Sequence, residues 1–276
     1  CRRLENFPLT KFLQFIQITQ QQIKQDGCIR VRQAIEQKLS TTNLKALSKA
    51  ASELSESYRA QRSKHNTFMA SENHRLAYIA TRMPATFAAN NAVFSEVQRL
   101  LPEQKIQSVL DLGAGPGTAS WAATQTFSEI QNITLIERDP ALIQIGKSLS
   151  QTAENTGLQN ATWMQKDLSQ LPTFPTHDLI VCSYALNELS LDNARQVLNA
   201  AWSAARVALI LIEPGTMPGF ALIRQLRDDL IQRGGHLIAP CPHQEPCPLP
   251  PDDWCHFSQR LNRTSLHRHL KVGHLG

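Results

Sequence analysis

The spacing of apolar residues changes near residue 100 of this chain. Before that point, apolar side chains recur every three or four positions, which predicts helices over about 9–26, 29–39, 44–58, 71–78 and 84–100. After it, short apolar runs at 106–112, 133–136, 161–164, 178–183 and 207–212 alternate with helical patterns at 118–128, 140–153, 192–204 and 218–233. Strands that alternate with helices predict a parallel sheet with right-handed crossovers.

The pattern divides the chain into three parts. A helical N-terminal region covers 1–100, an α/β core covers 101–235, and a cysteine-rich C-terminal segment covers 236–276. An apolar run at 236–239 is the expected first strand of the antiparallel hairpin that closes such a sheet. Because the sequence starts at Cys1 instead of Met and stops abruptly after Gly276, we expect a fragment at one or both ends, with the C-terminal segment incomplete.

A glycine-rich turn joins the first core strand to its helix. Gly113, Gly115 and Gly117 follow Asp111, which lies inside the strand, and a helix begins near Thr118. Glycine permits both a left-handed backbone and close approach of a ligand. A dinucleotide-binding loop would need Gly or Ala in place of Thr118. The G-x-G-x-G pattern instead resembles the Rossmann-like class of S-adenosylmethionine-dependent methyltransferases. It therefore predicts that Asp111 and the three glycines belong to a cofactor site.

Four further residues are candidates for the same site. Glu137 ends the second strand, twenty residues after Gly117, where it can accept hydrogen bonds from ribose hydroxyls. Asp167 follows the third strand and either accepts the adenine amino group or caps a helix. Tyr184 and Asn187 follow the fourth strand, at the edge where open α/β sheets bind ligands.

No catalytic residue is identifiable from the sequence. The segment after the fourth strand has neither the Asn-Pro-Pro-aromatic motif of amino-group methylation nor the Pro-Cys motif of cytosine-carbon methylation. Cys182 in that strand is interpreted as a buried core thiol. The segment 213–219 is interpreted as an irregular loop that closes over a substrate or simply turns the chain.

Charge is distributed unevenly around the net value of +5. Residues 1–100 hold 15 Lys and Arg against 7 Asp and Glu, whereas residues 101–255 hold 9 against 16. Residues 256–276 add four basic residues, no acid and four histidines. Basic flanks around an acidic core suit contact with a polyanion, although ordinary solvated helix faces would give the same pattern. With no run of 18 apolar residues and no signal segment, we expect a soluble, intracellular protein without a membrane span.

Three cysteines lie close together near the C-terminus. Cys241, Cys247 and Cys255 fall within fifteen residues of a proline-rich stretch. Clustered intracellular thiols bind metal more often than they form disulfides. The spacing leaves open an iron–sulfur cluster, a zinc ion with His243 or His256 as a further ligand, and three unliganded thiols.

Several of these segments together resemble one family, the methyltransferase-like proteins of the small ribosomal subunit, which are known from mitochondria and have bacterial relatives. The resemblance runs from about residue 54 to the end, and it rests on 82–86, 112–117, 136–138, 213–215, 239–249, 254–257, Arg260 and Arg263. It implies binding of S-adenosylmethionine and of a four-cysteine iron–sulfur cluster (4Fe–4S). Cys241, Cys247 and Cys255 would be cluster ligands, and the fourth cysteine would lie beyond residue 276.

The resemblance also implies a function. We expect an S-adenosylmethionine-binding, methyltransferase-like protein that associates with the small ribosomal subunit and its rRNA and acts in rRNA methylation, in subunit assembly and translation, or in both. It would act in the mitochondrial matrix of a eukaryote or in the cytoplasm of a bacterium. Two alternatives stay open: a non-catalytic RNA-binding assembly factor, and a methyltransferase that acts on a small molecule or a protein. The basic flanks favour RNA, and the missing catalytic motif favours the assembly factor.

Overall fold

The computed structural model describes residues 12–15, 25–59, 69, 71–250, 252–261 and 263–271. Its centre is a seven-stranded sheet in which every strand pairs in parallel with its neighbours, in the order β4-β3-β2-β5-β6-β1-β7. The strands are β1 Phe12–Phe15, β2 Ser108–Leu112, β3 Asn132–Glu137, β4 Thr162–Gln165, β5 His177–Ser183, β6 Ala205–Ile212 and β7 His236–Ala239.

Helices follow β1, connect the later strands of the sheet, and follow β7. They are α1 Gln25–Leu39, α2 Leu44–Arg59, α3 Glu72–Thr81, α4 Met83–Leu100, α5 Thr118–Thr126, α6 Pro140–Ser150, α7 Thr156–Gln159, α8 Leu191–Ala204, α9 Met217–Gln232 and α10 Ser265–Lys271, with short 3-10 turns at Leu168–Gln170 and Leu186–Glu188. The predicted α/β fold with a helical N-terminal region is confirmed, and the core elements match their predicted ranges closely.

Local capping explains where the core helices begin. Asp139, Ser190 and Thr216 precede α6, α8 and α9, and each side chain accepts a hydrogen bond from a backbone amide in the first turn. Helices α6 and α9 also carry proline at one of their first two positions, where its missing N–H costs nothing. Aspartate, serine and threonine are residue types that favour such helix starts.

The helix predicted over 9–26 is wrong for 12–15. Phe12–Phe15 form β1 and pair with β6 on one side and β7 on the other, with Phe12 opposite both Ala208 and His236. A short apolar run fits either period, and here the backbone of β6 offers partners that an isolated helix would lack. Asp26 and Gly27, interpreted as a helix stop, lie inside α1. Residues 9–11 and 16–24 lie outside the described part of the chain. Strand β7 forms as predicted, but its partner is the parallel strand β1 in place of an antiparallel hairpin strand.

The two faces of the sheet bury different helices. Val109 and Val181 lie in one core cluster with Phe87 and Phe94 of α4. Leu110 and Ile180, their neighbours along the same strands, lie in a second cluster with residues of α8 and α9. This alternation is the two-residue period of a sheet covered on both faces. The N-terminal helices therefore share a core with the sheet.

One tryptophan fixes the position of α6 against the glycine loop. The Trp163 ring on β4 lies beside Gly117 and Gly146, and a Cβ placed on Gly146 would be 2.3 Å from Trp163 Cη2. The same Cβ would be 3.1 Å from the carbonyl oxygen of Pro116. Gly146 is thus required by close packing. No helix in the described ranges is both long enough and apolar enough to cross a membrane.

Candidate cofactor site

The glycine loop turns the chain from β2 into α5 through three left-handed residues. Gly113, Gly115 and Gly117 have φ values of 68°, 55° and 83°, a region that other residues enter only at a cost. A Cβ on Gly113 would lie 2.5 Å from the Cβ of Ala185, whereas a Cβ on Gly115 would have no atom within 4 Å. The backbone around Gly115 is therefore open to a ligand.

Glu137 is brought next to that open backbone. Its Oε2 accepts a hydrogen bond of 2.8 Å from the Gly115 amide, and its Oε1 accepts one of 2.8 Å from the Asp139 amide. The side chain is buried. The carboxylate therefore ties the loop to the start of α6, at the end of β3 where the sequence predicted a ribose contact.

Asp111 lies beneath the loop. It is fully buried, and its Oδ2 accepts hydrogen bonds from the amide and the hydroxyl of Ser120 at 3.0 and 2.8 Å. Burial raises the pKa of Asp111 to about 6, although the two bonds from Ser120 oppose the shift. Asp111 thus holds the first turn of α5, and its part in the site is to support the loop from inside the core.

Asp167 acts as a helix cap in this structure. Its Oδ1 accepts hydrogen bonds from the amide and the hydroxyl of Ser169 at 2.9 and 2.7 Å, at the start of the 168–170 turn. These bonds, followed by the Arg138 charge, lower the pKa of Asp167, so the side chain is ionised at neutral pH. The capping interpretation is confirmed, and the contact with adenine stays a prediction.

Tyr184 and Asn187 follow β5, at the same edge of the sheet. Tyr184 has a φ of 59° and is the only non-glycine residue with positive φ in the described part of the chain. Its amide donates to the Ile212 carbonyl at 2.7 Å, and burial raises the pKa of its phenol to about 12. Asn187 is exposed in the 186–188 turn. Cys182 is fully buried as predicted, and burial raises the pKa of its thiol.

Glu213 is a residue that the sequence did not single out. It follows β6, and its Oε1 accepts a hydrogen bond of 2.9 Å from the Leu186 amide. Its Oε2 is buried and has no hydrogen-bond partner among the described residues. Burial raises the pKa of this carboxyl group to about 8. An acid directly after a buried strand, at the ligand-binding edge, was the available signal, but the sequence analysis interpreted 213–219 only as a loop that closes over a substrate or turns the chain.

The cysteine-rich segment packs on α9 and on the loop after β6. The buried Arg227 donates from Nη2 to the carbonyl oxygens of His243 and Glu245, at 3.1 and 2.7 Å. Trp254 Nε1 donates to the carbonyl of Gly215 at 3.2 Å, and the Trp254 ring stacks on His256. The segment therefore lies against the edge that carries Glu213.

The three cysteines form no disulfide with one another or with any other described residue. Cys241 is exposed, and Cys247 and Cys255 are half-buried. Burial raises the pKa of Cys255, and the charges of Cys241 and Cys247 raise it further. Thiolates are suitable donors for iron or zinc. Nevertheless, no group of three or more His, Cys, Asp or Glu within the described ranges has the geometry to hold a metal ion.

The basic tail joins the N-terminal helices. Arg260, Arg263 and Arg268 are exposed, and α10 packs against α2 and α3. Lys45 and Lys49 on α2 are exposed as well. The structure therefore connects the two basic ends of the chain.

The parallel sheet, the glycine loop and Glu137 define a Rossmann-like protein of the S-adenosylmethionine-dependent methyltransferase fold. The chain belongs to the family described as mitochondrial small ribosomal subunit Rsm22, whose model matches residues 72–276. The family predicted from the sequence is thereby confirmed.

Curated relatives agree with this family. The human protein "Ribosome assembly protein METTL17, mitochondrial" is 28% identical over 204 residues, which are 68% of this chain and 44% of that protein. The "Rsm22-cox11 tandem protein 2, mitochondrial" of Schizosaccharomyces pombe is 28% identical over 191 residues, which are 63% of this chain and 25% of that protein. The chain thus spans less than half the length of these relatives.

Solved methyltransferase structures share parts of the fold. The mitomycin 7-O-methyltransferase MmcR aligns with a TM-score of 0.41 and 19% identity, over 59% of this chain and 48% of that one. The magnesium protoporphyrin IX methyltransferase ChlM from Synechocystis PCC 6803 aligns with a TM-score of 0.40 and 19% identity, over 62% of this chain and 78% of that one.

Proposed function

We propose that this chain is the S-adenosylmethionine-binding, methyltransferase-like part of a protein that acts with the small ribosomal subunit and its rRNA, in subunit assembly and translation. One observation carries the proposal: the small-subunit family matches residues 72–276, and that same stretch contains the open backbone at Gly115. The human relative is called a ribosome assembly protein, and we extend that role to this chain.

Four elements support S-adenosylmethionine as the ligand. The backbone around Gly115 can meet the ligand directly, and Glu137 beside it can accept hydrogen bonds from the ribose. Asp167 follows β4 on the side proposed for adenine, and Tyr184 and Asn187 line the edge after β5. Gly113 and Gly117 give the loop its left-handed backbone, and the buried Asp111 holds the start of α5 through Ser120.

Assembly is favoured over methyl transfer by the groups at the end of β5. Tyr184 keeps its proton at neutral pH because its pKa is about 12, and the Asn187 amide cannot accept a proton from a substrate. Methylation of rRNA is the second candidate, because a strained residue such as Tyr184 is typical of functional sites. A small molecule or a protein as substrate is less well supported, because the exposed arginines suit a polyanion.

We propose rRNA as the partner of the basic surface formed by α2, α10 and the segment between residues 256 and 271. Arg260, Arg263 and Arg268 are exposed there, and arginine pairs with phosphate through two hydrogen bonds at once. The packing of α10 on α2 places the helix that carries Lys45 and Lys49 next to this basic segment.

We also propose that Cys241, Cys247 and Cys255 are ligands of an iron–sulfur cluster (4Fe–4S). Zinc with His243 or His256 is the alternative. The effect of the Cys241 and Cys247 charges on the pKa of Cys255 supports a shared site. A bound cluster would cross-link a segment that has little regular structure. Arg227 and Trp254 would hold that segment on the protein while it binds the metal.

The same proposal divides the chain into three regions and assigns the protein to a cellular compartment. Residues 1–100 form the helical region, 101–235 the cofactor-binding core and 236–276 the metal-binding segment. The protein would work in the mitochondrial matrix of a eukaryote or in the cytoplasm of a bacterium.

Sedimentation and labelling test this function together. Full-length protein is mixed with purified small ribosomal subunits and run on a sucrose gradient, and calorimetry measures its affinity for S-adenosylmethionine. We expect co-migration with the subunit and measurable cofactor affinity. Radioactive methyl groups found in the rRNA would establish the methylation candidate. A protein that neither co-migrates nor binds the cofactor would contradict the proposal.

A further inference from the structure

Glu213 lies under the turn that follows β5. Its Oε1 accepts a hydrogen bond of 2.9 Å from the Leu186 amide, and the amides of Leu186, Asn187 and Ala185 lower the pKa of this carboxyl group. The turn is therefore anchored to a side chain that follows the neighbouring strand β6.

This turn touches the glycine loop. A Cβ placed on Gly113 would lie 2.5 Å from the Cβ of Ala185, so the two backbones are as close as a glycine allows. The residue before Ala185 is Tyr184, whose φ of 59° must be maintained by its surroundings. Whatever holds Ala185 and Tyr184 in place therefore also sets the position of the Gly113 backbone.

The surroundings of the second carboxyl oxygen, Oε2, indicate whether Glu213 holds the turn as a neutral acid or as a carboxylate. Oε2 is buried without a partner among the described residues, so an ionised carboxylate would leave charge there uncompensated. Burial raises the pKa of Glu213 to about 8 and outweighs the backbone amides of Leu186 and Asn187, which lower it; the Glu188 charge on the same turn adds to the rise.

The groups around Glu213 add no positive charge. Cys182 on β5 responds to the charges of both Glu213 and Asp111 of β2, and the Tyr184 phenol responds to Glu213 as well. Glu188 is paired with Arg138 at 3.1 Å, on the exposed side of the turn. An ionised Glu213 would thus face acids and neutral groups only among these neighbours.

We propose that Glu213 is a positioning residue of the cofactor site: its neutral carboxyl group holds the turn from Tyr184 to Leu189 against Gly113, and its ionisation loosens that turn and weakens cofactor binding. The inference rests on the proposed function for its ligand, S-adenosylmethionine. It predicts a dependence on pH that neither the loop glycines nor Glu137 would produce.

Two substitutions distinguish the hydrogen-bonding role of the Glu213 carboxyl group from the effect of its ionisation. Glu213→Gln keeps the size and the acceptor oxygen but cannot ionise, whereas Glu213→Ala removes the anchor. Glu188→Gln is the matched control, because it removes an exposed acid from the same turn. Calorimetry with S-adenosylmethionine is run from pH 6 to pH 9.5 on each full chain. The amino group of the ligand titrates in part of this range, so the profile of each variant is compared with that of the wild type.

We expect the wild-type affinity, relative to Glu213→Gln, to fall up to tenfold per pH unit above about pH 8. Glu213→Gln should match the wild type at pH 6–7, and Glu213→Ala should bind at least tenfold more weakly at every pH. Glu188→Gln should keep the shape of the wild-type profile, with the fall beginning at slightly lower pH, because the Glu188 charge adds to the pKa of Glu213. Parallel profiles for wild type and Glu213→Gln, or wild-type affinity in Glu213→Ala, would overturn the inference.

Hydrogen exchange gives a second measurement that needs no ligand. Protection of the Ala185, Leu186 and Asn187 amides should decrease above pH 8 in the wild type and persist in Glu213→Gln, after correction for the intrinsic exchange rate. If the wild type binds no S-adenosylmethionine, the proposed function fails, and this exchange experiment alone decides whether Glu213 anchors the turn. Equal protection in both proteins at pH 9 would refute the anchor.

Discussion

Glu137 and Gly115 are joined by a hydrogen bond of 2.8 Å between the carboxylate Oε2 and the amide at the centre of the glycine loop. Each carboxylate oxygen has two lone pairs, so Glu137 can keep this bond and still accept one from a ligand. The acid therefore holds the loop and, under the proposed function, would also receive the ribose.

Glu137→Ala should lower the affinity for S-adenosylmethionine at least tenfold. The substitution removes charged hydrogen bonds to the ligand, each worth about 1.5–3 kcal/mol, and frees the Gly115 amide. Calorimetry at pH 7 measures the change. Glu129→Ala, an exposed acid in the turn before β3, is the control and should bind like the wild type. Equal affinity in Glu137→Ala would exclude this acid from the cofactor site.

Gly113→Ala and Gly234→Ala should differ in their effect on stability. Both glycines have positive φ, 68° and 82°, but only a Cβ on Gly113 meets another atom, at 2.5 Å, whereas Gly234 has open space. We expect Gly234→Ala to lower the free energy of unfolding by about 1–2 kcal/mol, from backbone strain alone. Gly113→Ala should cost about 1–3 kcal/mol more, because of overpacking. Denaturant unfolding gives both values, and equal losses would show that Ala185 moves away freely.

Asp111→Asn should change how stability depends on pH. The folded-state pKa of Asp111 is about 6, above its ordinary value near 3.9, so the folded protein keeps this proton after the unfolded chain has lost it. As pH rises from 4 to 6, ionisation therefore favours the unfolded chain and the wild type loses stability. The asparagine cannot ionise and still accepts from Ser120.

The difference in unfolding free energy between Asp111→Asn and the wild type should shift in favour of the variant by about 2–3 kcal/mol between pH 4 and pH 7. Urea unfolding at a series of pH values measures it. Asp252→Asn, at an exposed position, should leave the curve unchanged. Wild-type and Asp111→Asn curves that stay parallel across this range would contradict the assigned shift.

The sequence predicted the core of the fold well because its signals are local. Caps such as Ser190 and Thr216, strand periodicity and the glycine loop all lie within a few residues of the structure that they specify. The location of Phe12–Phe15 depends on the edge of β6, nearly two hundred positions away, and a four-residue run contains no sign of it. Glu213 was missed for a related reason, since its importance comes from the Leu186 amide, which follows a different strand.

Substitution of any one of the three clustered cysteines by serine should abolish the whole metal centre. Full-length protein purified without oxygen should be brown, and its iron and sulfide should fall together in Cys241→Ser, Cys247→Ser and Cys255→Ser. Cys182→Ala is the control, because that thiol is buried in the sheet. A colourless protein with one equivalent of zinc would favour a site completed by a histidine. Neither metal in the full-length protein would contradict the metal-binding proposal.

Loss of the exposed arginines should weaken the electrostatic contribution to RNA binding. In a variant with Arg260, Arg263 and Arg268 changed to alanine, the slope of log affinity against log salt should flatten by about 0.7–0.9 for each phosphate that the protein no longer neutralises. Binding to small-subunit rRNA fragments is measured at several salt concentrations.

The control for this experiment removes the same charge elsewhere. Arg99 and Arg195 are paired with Glu96 and Asp229, at 2.6 and 2.7 Å, and Arg233 is exposed at the end of α9. Changing these three to alanine should leave the slope close to that of the wild type. An unchanged slope in the tail variant would identify its arginines as solvated surface.

The fit between Gly146 and Trp163 has an evolutionary consequence. With only 2.3 Å between a Cβ on Gly146 and the indole ring, a larger residue at position 146 requires that the indole change or that α6 move away from the glycine loop. Family members with a larger residue at position 146 should carry a smaller side chain in place of the indole. These two positions should therefore vary together, although they are separated by an entire helix, a turn and the start of a strand.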